Sequence, residues 1–192
     1  MTNAAHAIEC YTSKKGNPFS DTFALKAISL ISRSIRQAYS DGSDIDARHD
    51  MLLGAMYGGM CIATSSTTAV HALAYPLGGK YRMPHGLSNA ILLPHVMQFN
   101  MVGSEGKFRD MAEAMGIRTA GLTDREAAEK MIEELYALIK DLNLMTSLQE
   151  KGISADDLDL LVSGAAKVTR LLDNNPRPMT KDDMREIYRK LL

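Results

Sequence analysis

The sequence predicts an all-α domain, and three observations carry that reading. Apolar residues recur at helical spacing along most of the 192 residues. Helix-start signals stand in front of the periodic segments. No stretch shows sustained period-two alternation between hairpin turns. The expectation is a bundle-like single domain over residues 1–192, built from roughly eight to ten helices.

The elements follow in order. Ala4 to Tyr11 reads as a helix with a mostly apolar face. Ala24, Ile28, Ile31 and Ile35 define one face of a helix from about Ser20 to Tyr39. Met51 to Ala63 is apolar nearly all round and contains Gly54, Gly58 and Gly59, which predicts a helix buried on several sides. Thr68 to Ala74 reads as a short buried helix. The Pro76 to Gly79 stretch reads as a turn, with Gly78 and Gly79 as a helix stop. His85 follows Pro84 at the entry of a helix reaching about Phe99, where proline is favoured. Gly103 to Gly106, Gly116 to Leu122 and Asp173 to Pro178 read as connections. Thr123 and Glu126 form a capping box ahead of Ala128, Met131, Leu135 and Ile139, a helix from Asp124 to Lys140. Leu158, Leu161, Ala165 and Val168 continue the pattern, and Met184, Ile187 and Leu191 close it. Ser43, Ser154 and Thr180 each stand three residues before an aspartate, a weaker start signal.

Bulk properties narrow the function. A net charge of −1 with scattered basic residues provides no field for nucleic acid or an anionic membrane surface. The longest apolar run is too short to span a bilayer. Cys10 and Cys61 are too few for a disulfide framework, and there is no basic-then-apolar leader, so a reducing, cytoplasmic location is expected. Both cysteines and the methionines read as core fillers. No strand followed by a glycine-rich loop and a helix is present, so no dinucleotide fingerprint is found.

The chemistry concentrates on histidines. His71 and His85 stand fourteen residues apart on two apolar helices, and His6 lies on a third. Neutral imidazole is a common ligand for borderline transition metals, and three of them can leave an open position for a substrate oxygen. A lone histidine on an apolar helix is usually a satisfied core or rim residue, and spacing alone favours that reading for each of the three. His95 reads as structural polar burial and His49 as surface. Asn89, one turn after His85, reads either as its orienting partner or as helix-surface polarity.

The segment His71-Ala-Leu-Ala-Tyr-Pro-Leu-Gly-Gly-Lys-Tyr-Arg-Met-Pro-His-Gly-Leu-Ser-Asn-Ala-Ile-Leu-Leu-Pro94 resembles the signature of the iron-containing (group III) alcohol dehydrogenases. The stretch from His6 to Asp21 and the tail from Asn175 to Tyr188 resemble two further family segments. The resemblance implies the helical C-terminal domain of the dehydroquinate synthase-like fold. It further implies reversible oxidation of a small alcohol to an aldehyde or ketone with NAD(P), the nucleotide held by a separate N-terminal domain. In this family one aspartate and three histidines hold a divalent metal, iron or zinc; His6, His71 and His85 match the histidines. The aspartate position, four residues before His6, is Thr2 here, so the resemblance implies a weakened metal site. Tyr75 stands where many relatives place a further histidine near the nicotinamide, so it and His85 are the expected catalytic and cofactor-facing residues. Without a nucleotide domain, this chain is expected to be inactive alone and to self-associate through an exposed interdomain face. Two alternatives stand beside this reading: a non-catalytic helical unit, and a metal-independent reductase resembling the maleylacetate reductases, which also lack the aspartate.

Overall fold

Ten α-helices and two 3₁₀ turns follow one another without a strand in the computed structural model, which describes residues 1–192. The helices are α1 (Thr2–Thr12), α2 (Pro18–Ser40), α3 (Ile45–Thr64), α4 (Ala69–Tyr81) and α5 (His85–Asn100). They continue with α6 (Glu105–Ala114), α7 (Asp124–Asp141), α8 (Leu158–Ala166), α9 (Thr169–Leu172) and α10 (Lys181–Arg189). No helix is long and apolar enough to cross a membrane.

Local chemistry sets most of these boundaries. Asn17 opens α2 by accepting from the backbone N–H groups of Phe19 and Ser20, while the Ser20 hydroxyl accepts from Asn17 N–H. Thr123 with Glu126 and Thr180 with Asp183 make the same reciprocal box at α7 and α10. Ser154 and Asp157 make one too, but it starts a 3₁₀ turn that leads into α8. The start of α3 differs from expectation: Asp44, not Ser43, caps it by accepting from Ala47 N–H. Glu105 begins α6 inside the stretch read as a connection.

A long hairpin of α2 and α3 lies against α1, and α4 and α5 form a second pair beneath α1. Ile8, Ile28, Ile31, Leu73, Leu77, Leu92 and Leu93 meet at the centre, fully buried. Burial of each such side chain contributes about 1.5–3 kcal/mol. The two cysteines are buried and free, as core fillers should be.

Two expectations for the helices are corrected. The Pro76 to Gly79 stretch is no turn: α4 runs through it to Tyr81. It stops at Arg82, which takes the left-handed conformation at φ 52°. There Arg82 N–H donates to Gly78 C=O at 3.1 Å, and Met83 N–H to Leu77 C=O at 3.3 Å. Pro76 belongs to the packing instead, since a Cβ on Gly164 of α8 would stand 2.9 Å from Pro76 Cγ. Nor is α3 buried on several sides. Ala47, Gly54, Gly58 and Cys61 are its buried residues, with Met51 and Tyr57 partly buried against the core, whereas Leu52 is 73% exposed and Ile45, Met56 and Ile62 also point outward.

Candidate metal centre

Three helices deliver the three histidines to one place. His6 lies midway along α1, His71 in the first turn of α4, and His85 at the first position of α5, immediately after Pro84. One nitrogen from each ring lies within 4.8 Å of the others. The His6 and His71 rings stack with centroids 4.8 Å apart, and His71 and His85 stand 5.1 Å apart. His71 is buried, His6 partly buried and His85 exposed, so the cluster opens to solvent on the His85 side.

The environment keeps two of these rings neutral. Burial, reinforced by the neighbouring His71, pulls the His6 pKa down to about 4. Burial, then His71, lowers that of His85. Neutral rings offer lone pairs at ordinary pH.

Asn89 is fully buried, not a surface residue. Its Nδ2 stands 3.2 Å from His71 Nε2 and 3.0 Å from His85 Nε2. An amide nitrogen can only donate, so both Nε2 atoms are acceptors there. Its Oδ1 is buried and has no partner. An orphaned polar atom beside three converging imidazoles marks a polar site that protein groups alone do not satisfy. The donor set suits zinc or ferrous iron, which bind imidazole well. His6, His71 and His85 would hold such an ion.

Glu9 is the residue that the sequence reading missed. It lies on α1, three residues after His6, and is 0% exposed. Its Oε1 accepts from Thr68 N–H, Val70 N–H and the Thr68 hydroxyl, each at 2.9 Å, and from His71 N–H at 3.4 Å. Its Oε2 makes a very short contact with His71 Nδ1. Glu9 therefore caps α4 from another helix, where Thr68 provides no side-chain cap of its own. Asn175 adds to this cap, its Oδ1 accepting from Ala69 N–H at 3.4 Å and from Asn100 Nδ2 at 2.9 Å.

Around the rim, Tyr75 is 40% exposed, and its ring lies 6.5 Å from that of His85. The Arg170 guanidinium reaches the Tyr75 hydroxyl at 3.4 Å. Thr2 belongs to α1, and its Oγ1 would stand 2.6 Å from a Cβ added at Gly86, the residue after His85. The cluster that could hold a metal contains no carboxylate. His95 sits apart from it, half-buried, with Nδ1 3.0 Å from the Tyr136 hydroxyl. His49 is exposed on α3.

Comparison with known proteins places this geometry. A family model described as "Fe-containing alcohol dehydrogenase family, C-terminal" matches residues 1–192. The 1,3-propanediol dehydrogenase of Citrobacter freundii is 38% identical over 99% of this chain and 49% of its own length. Long-chain-alcohol dehydrogenase 1 of Geobacillus thermodenitrificans is 39% identical over 95% of this chain and 46% of its own. A crystal structure of 1,3-propanediol oxidoreductase superposes with a TM-score of 0.97 at 38% identity, covering 100% of this chain and 50% of that one. The chain spans about half the length of the relatives it matches. It belongs to the Fe-containing alcohol dehydrogenase family and corresponds to the helical C-terminal domain.

Proposed function

We propose that this chain supplies the metal- and substrate-binding half of a metal-dependent, NAD(P)-linked alcohol dehydrogenase. The relatives are alcohol dehydrogenases of the iron-containing family, which supports alcohol oxidation as the parent activity. His6, His71 and His85 are the proposed ligands of a divalent iron or zinc ion. The observation that carries this reading is their convergence from three helices, with Nε2 of His71 and His85 held as acceptors. A divalent ion bound there supplies Lewis acidity toward an alcohol oxygen.

The remaining roles fall to the chain itself. The solvent-facing side at His85 admits a small alcohol or aldehyde. Tyr75 lines that side and offers a ring face for a nicotinamide and a hydroxyl for hydrogen bonding. Glu9 holds the His71 imidazole from its Nδ1 side, and an ion would take over the Nε2 lone pairs that now accept from Asn89. The hydride acceptor is bound by a separate nucleotide-binding half, without which donor and acceptor are not brought to reacting distance. The apolar outer face of α3 supports self-association.

Calorimetry with zinc and with ferrous iron tests the site, and NAD(P)H formation on mixing with a separately expressed nucleotide-binding half tests the activity. Metal binding together with alcohol-dependent turnover of the mixture is expected. Absence of metal binding would favour a second reading, a non-catalytic helical unit. Thr2 speaks for that second reading, because it stands where the family places a carboxylate ligand and brings no charge to the cluster.

A further inference from the structure

We propose that Glu9 is a positioning residue: it fixes His71 as the Nδ1–H tautomer, so that the unprotonated Nε2, which accepts from Asn89, turns its lone pair toward the cluster. This inference rests on the metal reading above for its purpose, but not for its geometry.

The two oxygens of Glu9 divide their work. Oε1 meets only donors: the N–H groups of Thr68, Val70 and His71 and the Thr68 hydroxyl. Oε2 meets only His71 Nδ1. A carboxylate oxygen can only accept, so the ring proton belongs on Nδ1. The far side of the ring fits this assignment. Asn89 presents an amide nitrogen to Nε2, with its own oxygen left without a partner. Glu9 and Asn89 thus grip the two ends of one imidazole in the same sense.

Glu9 is also the carboxylate in contact with one of the three rings. In a site of three neutral imidazoles, the nearest carboxylate acts through a ring rather than by direct contact. A hydrogen bond from a ligating histidine to a carboxylate raises the basicity of the ligating nitrogen. A buried carboxylate sharing α1 with His6 and capping the helix of His71 also locks the spacing of those two ligands.

Glu9→Gln separates these roles. An amide has one accepting atom where the carboxylate has two. If its oxygen keeps the cap on α4, its NH₂ must face His71 Nδ1, and the ring proton moves to Nε2. Nitrogen-15 NMR of the metal-free protein reads the tautomer directly. The unaltered chain should show protonated Nδ1 and bare Nε2 at His71, and Glu9→Gln should reverse them. Zinc affinity, measured by competition calorimetry, should fall about 10–100-fold in the variant. An Nε2–H tautomer in the unaltered chain overturns the proposal, as does a variant whose zinc affinity stays within about threefold of the original. If Glu9→Gln does not fold, the spectrum of the unaltered chain decides alone. If zinc fails to bind the unaltered chain while His71 carries Nδ1–H, the tautomer assignment is supported and the metal reading is the one that falls.

Discussion

Helices α3 and α5 look alike in sequence and behave oppositely in the fold. Both are apolar nearly all round and neither shows a strong polar face. Yet α5 buries Asn89, Ile91, Leu92, Leu93, Val96 and Met97, while α3 buries two glycines, an alanine and a cysteine and turns its bulk outward. The difference lies in what each helix packs with. A Cβ on Gly54 would stand 2.7 Å from Ile31 Cγ1, and one on Gly58 would stand 3.3 Å from Asn3 C=O. Helix α3 docks through its missing side chains, so its large ones are left over. Helix α5 docks through its large side chains and places His85 and Asn89 at a polar site. Apolar composition alone does not say which face is inside; the position of the small residues does.

The comparison can be broken first at α5. His85 is exposed, so His85→Ala should leave the fold intact, as judged by circular dichroism. It should weaken zinc binding by more than about 100-fold, beyond the range seen for outer partners of a metal ligand. Retained affinity in calorimetry would remove α5 from the site.

At α3 the sharper test is a pair of substitutions. Gly54→Ala should destabilise by about 1–3 kcal/mol, because Ile31 must shift. Gly59→Ala meets nothing within 4 Å. It should instead stabilise by about 0.5–1 kcal/mol through helix propensity. Equal effects in urea unfolding would show that α3 does not dock through its glycines.

A smaller effect should follow pH through His95 on α5. Burial, helped by nearby Lys190, lowers its pKa to about 4. The unfolded chain then takes up a proton first as pH falls, so this group's contribution to stability is lost between about pH 6.5 and pH 4. His95→Gln should flatten that part of the stability–pH curve, measured by urea unfolding. An unchanged curve would show that His95 titrates normally.

The smallest effect on stability belongs to the outer face of α3. Leu52→Glu should change it by no more than about 0.5 kcal/mol, as for other surface sites. The same change should lower the average mass in light scattering if that face drives self-association. An unchanged mass would assign association elsewhere.

Much of this was legible in the sequence, for identifiable reasons. Amphipathic α2, α7 and α10 announce themselves, because their polar faces fix which side is inside. The capping boxes at Thr123 and Thr180 are local chemistry and carry over directly. His6, His71 and His85 stand out because the segments that carry them resemble family signatures; their spacing alone does not single them out. Two things were not legible. Pro76 and two glycines mimic a turn, yet the helix runs through them, with Gly164 of α8 packed close against Pro76. Glu9 drew no notice because one acidic residue in a helix is ordinary. The signal was its setting: its neighbours Ala5, Ala7, Ile8 and Cys10 are all apolar. A carboxylate on a helix that turns wholly inward must find donors there.

The brace on α4 has a consequence for the order of assembly. All three histidines have been synthesised by residue 85. The contacts that hold the His71 helix come far later. Asn175 reaches Ala69 across a separation of 106 residues, and the Tyr188 hydroxyl donates to Leu73 C=O at 2.6 Å across 115. Such distant closures are slow, because chain entropy must be lost before they form. The cradle around His71 therefore sets only when Asn175 and Tyr188 have joined it, well after the histidines themselves are in the chain.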